Sequence, residues 1–349
     1  MKKIILILLI FLTGCTKEEV NPLKEIGYND DEINVIETMS TSTIEYIKNN
    51  DYNSNYITLL TSSNFNENNF NNYINLMDKS NYSIDDILYV VNNNYYDDTI
   101  NYDENTLSLM KSKYYIHNNL NKYLNYKNSS KKTFNTENEL NDYVITSINS
   151  MLDTPFYQNP VKTDLSKGYL MIVNKYHYLD SNYVPNNLVT ASSKYGNTLQ
   201  VEKTTYEAFI NMYNDASKIG LNIAIMSPYR SYNTQIGLYN RYASVDGKAL
   251  ADTYSARAGY SEHQTGLAID IVKRGGTLGG FETTKEFKWM KDNSYKYGFI
   301  LRYPSGKEWI TGYQYEPWHY RYVGVEVATQ IYNEGITFEE YYAYYVEKN

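Results

Sequence analysis

The chain has 349 residues, 42% of them hydrophobic, with a formal net charge of −8, four histidines and one cysteine. That length suffices for two domains with separate cores, and an acidic chain without a basic patch argues against a nucleic-acid partner. A single cysteine rules out an internal disulfide, so apolar burial has to hold the fold together. Tyrosine is the outlier at 41 residues, alongside abundant Asn, Ile and Lys. A/T-rich codons account for that bias, and a tyrosine-built carbohydrate surface is the alternative reading.

Lys2 and Lys3 precede an apolar run from Ile4 to Leu12. The run is too short to span a bilayer, which takes about 20 apolar residues, and fits the central region of a secretory signal peptide. Its end, Leu12-Thr13-Gly14-Cys15, resembles the lipobox of a bacterial lipoprotein. That resemblance implies cleavage before Cys15, a lipidated tether over 15–22, and anchorage at the outer face of the cytoplasmic membrane.

From 23 to 164 the pattern predicts an all-α region with a weak repeat. Segments starting at Gly27, Asn64, Asn81 and Asn101 each carry a polar cap, acidic residues and then apolar positions, their aromatics 37, 17 and 20 residues apart. Ile84, Ile87, Leu88 and Val91 follow the helical period. One helix and a turn cannot bury its apolar face alone, so stacked helices are expected. Neither a phosphate loop nor a His/Cys cluster stands here, and the region reads as either a spacer and binding module or a helper domain. The Asn/Ser/Lys-rich stretch from Lys127 to Asn141 is a candidate linker.

From 165 to 349 helices and strands mix without regular βαβ alternation, which predicts an α+β domain. Leu170–Val173 reads as a buried strand, and His177 after it as structural. An amphipathic helix over Thr204–Ile219 stops at Gly220, and Leu221, Ile223 and Ile225 alternate as a strand that delivers Ser227-Pro228-Tyr229-Arg230-Ser231. A helix over 233–244 places Gln235 close to Arg230. Leu267, Ile269 and Ile271 form one apolar face of a further strand, so Asp270 points away from it. A helix over 285–297, strands at Phe299–Tyr303 and Tyr315–Tyr322, and a capping box at Thr337–Glu340 complete the domain.

His263 and Asp270 stand seven residues apart with a glycine between them, and Glu316-Pro317-Trp318-His319 supplies a second histidine beside an acid. Two imidazoles and a carboxylate match a catalytic zinc site of three protein ligands plus water. Glu316 is then the candidate to carry the proton of that water, and Arg230 offers a guanidinium fork for a carbonyl oxygen or a terminal carboxylate.

Ser261-Glu262-His263-Gln264-Thr265-Gly266-Leu267-Ala268-Ile269-Asp270 resembles the SxHxxGxAxD signature of VanY-type D-alanyl-D-alanine carboxypeptidases. The segments Glu316–Gly324 and Ser227–Gln235 are similar to that family's further motifs, in the same order. The resemblance spans about 165–347 and implies a small sheet with helices, and one zinc ion on His263, Asp270 and His319. It further implies Glu316 as general base then acid, Arg230 at the scissile carbonyl or substrate carboxylate, and Ser261, Gln235 and Tyr229 as substrate contacts. The implied activity removes a C-terminal D-alanine from peptidoglycan stem peptides, D,D in preference to L,D. A non-catalytic wall-binding lipoprotein and an endopeptidase of the same fold are the alternatives. Pro228 and Ala258 depart from the family pattern, where Gly and Pro are common; neither is a ligand.

Overall fold

The computed structural model describes residues 20–97 and 102–347. The expected signal segment, Cys15 and most of the expected tether lie outside the described residues. Among the described residues no helix is long and apolar enough to cross a membrane. The chain forms two compact units, one ending at Leu107 and the other starting at Ser108.

The first unit is helical, as its capping pattern predicts: α1 (Pro22–Ile26), α2 (Asp30–Glu37), α3 (Thr41–Lys48), α4 (Ser54–Leu60), α5 (Phe70–Lys79), α6 (Ile84–Asn92) and the start of α7 (Glu104–Met110). Asn29, Ser40 and Ser83 cap α2, α3 and α6 by accepting from backbone amides in the first turn, which satisfies donors that the helix leaves unpaired. Ile33, Ile36, Ile47, Leu59, Tyr73, Ile87 and Leu88 fill its core.

The second unit opens with α8 (Leu120–Ser129) and α9 (Glu137–Asn149). The division expected near Asp164 therefore falls after Leu107. Side-chain packing accounts for the difference. Tyr114 stacks on Tyr344 with ring centroids 3.8 Å apart, and the Thr146 and Tyr344 hydroxyls are 3.2 Å apart. Tyr143 lies 5.3 Å from Trp309.

The true repeat is also longer than one helix. In one copy Tyr73 donates to the Asn92 side chain, Asn66 N donates to Tyr73 Oη at 3.3 Å, and Asn92 Nδ2 donates to Asn64 O at 2.8 Å. In the other, Tyr123 donates to Asn149, Ile116 N to Tyr123 Oη at 3.3 Å, and Asn149 Nδ2 to Tyr114 O at 3.1 Å. Asn69 and Asn119 each donate to the corresponding Asn.

The remainder is α+β: β1 (Val161–Lys162), β2 (His177–Tyr178), β3 (Leu188–Thr190), β4 (Gln200–Glu202), α10 (Lys203–Lys218), β5 (Ile223–Ser227), α11 (Tyr232–Asp246), α12 (Lys248–Ala251), β6 (Ala268–Lys273), α13 (Lys285–Asn293), β7 (Phe299–Leu301), α14 (Glu308–Thr311), β8 (His319–Tyr322), α15 (Val325–Glu334) and α16 (Phe338–Tyr341). The main sheet runs β5-β6-β8-β7, each neighbouring pair antiparallel. Phe209 and Met212 from α10 and Phe287 and Met290 from α13 join Ile225, Ile269, Ile271, Phe299 and Tyr320 in one core. Ile300 packs instead with Val323, Ala328, Ile331, Phe338 and Tyr341, as strand alternation requires of the neighbour of Phe299.

Two strand expectations need correction. Leu170–Val173 lies outside any strand, with Leu170 half-buried and Met171, Ile172 and Val173 buried. Its carbonyls are taken by side chains: Arg321 donates to Tyr169 O and Met171 O, and Thr163 to Ile172 O. Tyr315–Trp318 forms a loop before β8, because Glu316 N turns back onto Tyr303 O at 3.1 Å.

Candidate active site

The site is built on the β6–β8 ladder, in which Asp270 lies directly opposite His319 and, across β5, pairs with Ser227. Ile269 and Ile271 point into the core on either side of Asp270, so its carboxylate is aimed at the opposite face. His263 comes from the 3-10 turn Glu262–Thr265, which ends at Gly266 with φ +70°. A Cβ there would lie 3.1 Å from the backbone N and the Cβ of Glu202 and from Leu188 Cδ2. Glycine allows both the left-handed turn and that close approach.

These elements bring His263, Asp270 and His319 together, with donor atoms of all three within 4.8 Å of one another. His263 Nε2 lies 3.5 Å from Asp270 Oδ2, and His319 Nδ1 lies 3.3 Å from Asp270 Oδ1. All three are nearly inaccessible to solvent, and Asp270 Oδ1 has no hydrogen-bond partner. His263 Nδ1 donates to Pro228 O at 2.7 Å, which fixes the tautomer and turns the Nε2 lone pair inward. Two imidazole nitrogens and a buried carboxylate oxygen left without a partner fit a single divalent cation.

Glu316 is 9% exposed, and its Oε2 sits 3.5 Å from His319 Nδ1. Burial pushes its carboxyl up to about 8; His319 opposes the shift and Asp270 adds to it. For His319 burial acts downward, but the neighbouring carboxylates of Asp270, Glu262 and Glu316 overcome it and raise the imidazole to about 9. Burial lowers His263. A carboxyl that exchanges its proton near neutral pH suits general acid–base work.

Arg230 completes the constellation. Its guanidinium donates to Gln235 Oε1 at 2.8 Å and to Ser227 Oγ at 3.0 Å, which leaves further N–H groups for the cleft. Gln235 is 2% exposed, with its Nε2 donating to Ala256 O at 2.6 Å. Both ends of its amide are thereby engaged, so it braces Arg230. Ser261 lines the same cleft, of about 350 Å³, together with Tyr303, Tyr313, Gln314 and Trp318. Tyr229, expected to touch substrate, lies outside that lining; its amide is paired with Gln200 O while the next residue, Arg230, turns in.

Several supporting residues escape sequence reasoning. Glu262, 1% exposed, places Oε2 3.5 Å from His319 Nε2, on the ring edge remote from Asp270. Burial pushes its carboxyl up, but Arg302 and Arg321 outweigh that and keep it ionised. Arg302 Nε donates to Glu262 at 2.8 Å and its two terminal nitrogens grip Glu339; Arg321 Nη1 reaches Glu262 at 3.0 Å. A carboxylate behind a ligating imidazole orients the ring. Lys175, 3% exposed, donates to Asp252 O and Gly312 O, both at 2.5 Å. It joins the loops that bring Ser255 and Gln314 to the cleft. Burial lowers its ammonium to about 8; the neutral amine retains two N–H donors for the same carbonyls. His177 is taken up structurally, its Nδ1 3.0 Å from Asn174 Oδ1.

The family model for VanY, D-alanyl-D-alanine carboxypeptidase, matches residues 198–325. The chain is 37% identical over 230 residues to the putative carboxypeptidase YodJ of Bacillus subtilis (strain 168), an alignment covering 62% of this chain and 81% of that one. It is 36% identical over 226 residues to a D-alanyl-D-alanine carboxypeptidase of Enterococcus faecium, covering 64% of each chain. Among solved structures it is similar to the LdcB LD-carboxypeptidase, described for its recognition of peptidoglycan, with 39% identity and a TM-score of 0.51. That likeness covers 54% of this chain and 91% of LdcB.

Proposed function

The chain belongs to the VanY family of D-alanyl-D-alanine carboxypeptidases, and from that premise we propose that it removes the C-terminal D-alanine from peptidoglycan stem peptides. The observation that carries this reading is the convergence of three donors within 4.8 Å, beside Glu316 and Arg230, in one cleft. Glu316 accepts a proton from the water that attacks the scissile carbonyl carbon. It then delivers that proton to the alanine nitrogen as the C–N bond breaks, so one carboxyl serves as base and then acid. Arg230, braced by Gln235 and Ser227, supplies fixed N–H donors to a substrate oxygen beside that bond. His263, Asp270 and His319 would hold one zinc ion, which when bound would supply Lewis acidity and lower the pKa of water. The N-terminal segment anchors the enzyme by lipid at Cys15 on the outer face of the membrane.

We take the bond cleaved as D,D, following the family description. The likeness to an LD-carboxypeptidase favours L,D cleavage as the second reading. Incubating the zinc-loaded protein with a pentapeptide ending in D-Ala-D-Ala and with the tetrapeptide, and weighing the products, separates the two. Loss of one alanine mass from the pentapeptide alone supports D,D; loss from neither overturns the proposal. Glu316→Gln is expected to retain zinc while kcat falls about 10²–10⁴-fold, and an active variant removes Glu316 from its role.

A further inference from the structure

A second cleft in the unit that begins at Ser108 has a volume of about 590 Å³ and shares no lining residue with the active site. Its walls come from α9, from the segment around Lys132 and Phe134, from Trp309 on α14, and from Tyr344. Trp309 remains 41% exposed, although a tryptophan this large gains strongly from burial. Its ring lies 5.3 Å from that of Tyr143 at 36°, and Phe134 flanks Tyr143 at 5.1 Å. The Lys132 ammonium sits at the seam, 4.3 Å from the Tyr143 centroid and 5.4 Å from that of Trp309. Asp142 lines the same cleft. The aromatic floor is thus bordered by a donor and an acceptor.

We infer that this cleft binds the glycan strand of peptidoglycan, with an N-acetylated pyranose ring stacked on Trp309, whose own ring is backed by Tyr143. Axial C–H groups of a pyranose carry a partial positive charge that suits the negative face of an aromatic ring. Lys132 can donate to an acetamido carbonyl, and Asp142 can accept from an N–H or hydroxyl. An acyl chain gains nothing from that charged border, and the lining's three lysines (Lys113, Lys132 and Lys307) are matched by Glu139, Asp142 and Glu340, which leaves no net positive charge to draw in a polyanion.

Position adds a second argument. Residues 303–316 serve both clefts, because Tyr303, Tyr313, Gln314 and Glu316 line the catalytic one whereas Lys307 and Trp309 line the other. A polymer held at Trp309 keeps the stem peptides it carries near the catalytic cleft, which raises their effective concentration there. This inference rests on the reading of peptidoglycan as substrate and adds the sugar to it.

Calorimetric titration of the full chain with tetra-N-acetylchitotetraose, and with glycan strands stripped of peptide, tests it without any turnover. Wild type should bind both, and Trp309→Ala should weaken binding about tenfold or more, as loss of a central aromatic anchor does. Trp309→Phe should recover part of the binding, and Asp142→Asn, at an exposed position, should lose part of it. In parallel, Trp309→Ala should raise KM for uncross-linked polymeric peptidoglycan while kcat/KM for the free stem peptide stays within about twofold. Absence of sugar binding by wild type, or equal binding by Trp309→Ala, overturns the assignment. A Trp309→Ala defect on the free peptide also overturns it and makes the cleft a peptide subsite. Because sugar binding is read apart from hydrolysis, failure of every stem peptide to lose alanine would strike the catalytic reading alone.

Discussion

The Tyr–Asn clusters of the helical copies, gathered around the buried rings of Tyr73 and Tyr123, and the fully buried Glu–Arg cluster behind His319 are polar assemblies built on different physics. In the former a phenol, side-chain amides and a backbone carbonyl are all neutral, and they tie one helix to the next and to the loop before the pair. In the latter, two guanidiniums and two carboxylates share a site in which both arginines are 0% exposed. Neutral groups cost little to bury once they are hydrogen-bonded, so such a cluster can be copied along a chain as a structural fastener. Charges are expensive to bury even when paired. Their presence behind His319 has a local reason, since an ionised Glu262 can face an imidazole edge only if its own charge is balanced.

The largest effect in this comparison should come from Arg302→Met. It leaves Glu339 without a buried countercharge and Glu262 with Arg321 alone, and urea unfolding of the metal-free protein should show a loss of about 3–5 kcal/mol. A loss below about 1 kcal/mol would mean that water already relieves those carboxylates. Glu262→Gln comes next. Gln retains an acceptor for the arginines but loses the charge facing His319 Nε2, so chelator competition should report zinc affinity about 10–100-fold lower. Unchanged affinity would reduce Glu262 to a packing role. The smallest effect belongs to the neutral clusters. Tyr73→Phe and Tyr123→Phe should each lower local stability by about 1–2 kcal/mol, read as faster amide exchange in α5 and α8 respectively. If only one copy responds, the shared hydrogen-bond pattern does not carry shared energetics.

The legible parts of the molecule were those in which one short segment carries its own explanation. Asp270 between Ile269 and Ile271 declares a strand with a carboxylate on the far face, and the structure places it so. The capping box at Thr337 and Glu340 is present with both of its hydrogen bonds. Glu262 was illegible because its meaning depends on Arg302 and Arg321, separated from it by 40 and 59 residues. Alone, an acid in a short turn reads as a solvated residue. Leu170–Val173 misleads for a related reason: an apolar run predicts burial, yet whether its carbonyls meet a strand or an arginine is decided 150 residues later. The 50-residue offset between Tyr73 and Tyr123 was hidden because comparison of helix starts alone finds every cap and treats each helix as a unit.

The pairing of Asp270 with His319 makes the site sensitive to how the sheet is zipped. Side chains alternate along a strand, so sliding β8 past β6 by one residue would carry the imidazole to the core side and bring Tyr320 or Trp318 to its place. A cation that requires all three donors can bind only after the correct ladder has formed. Metal capture would thus act as a proofreading step for strand register, withholding its stabilisation from chains that have paired one residue out of step.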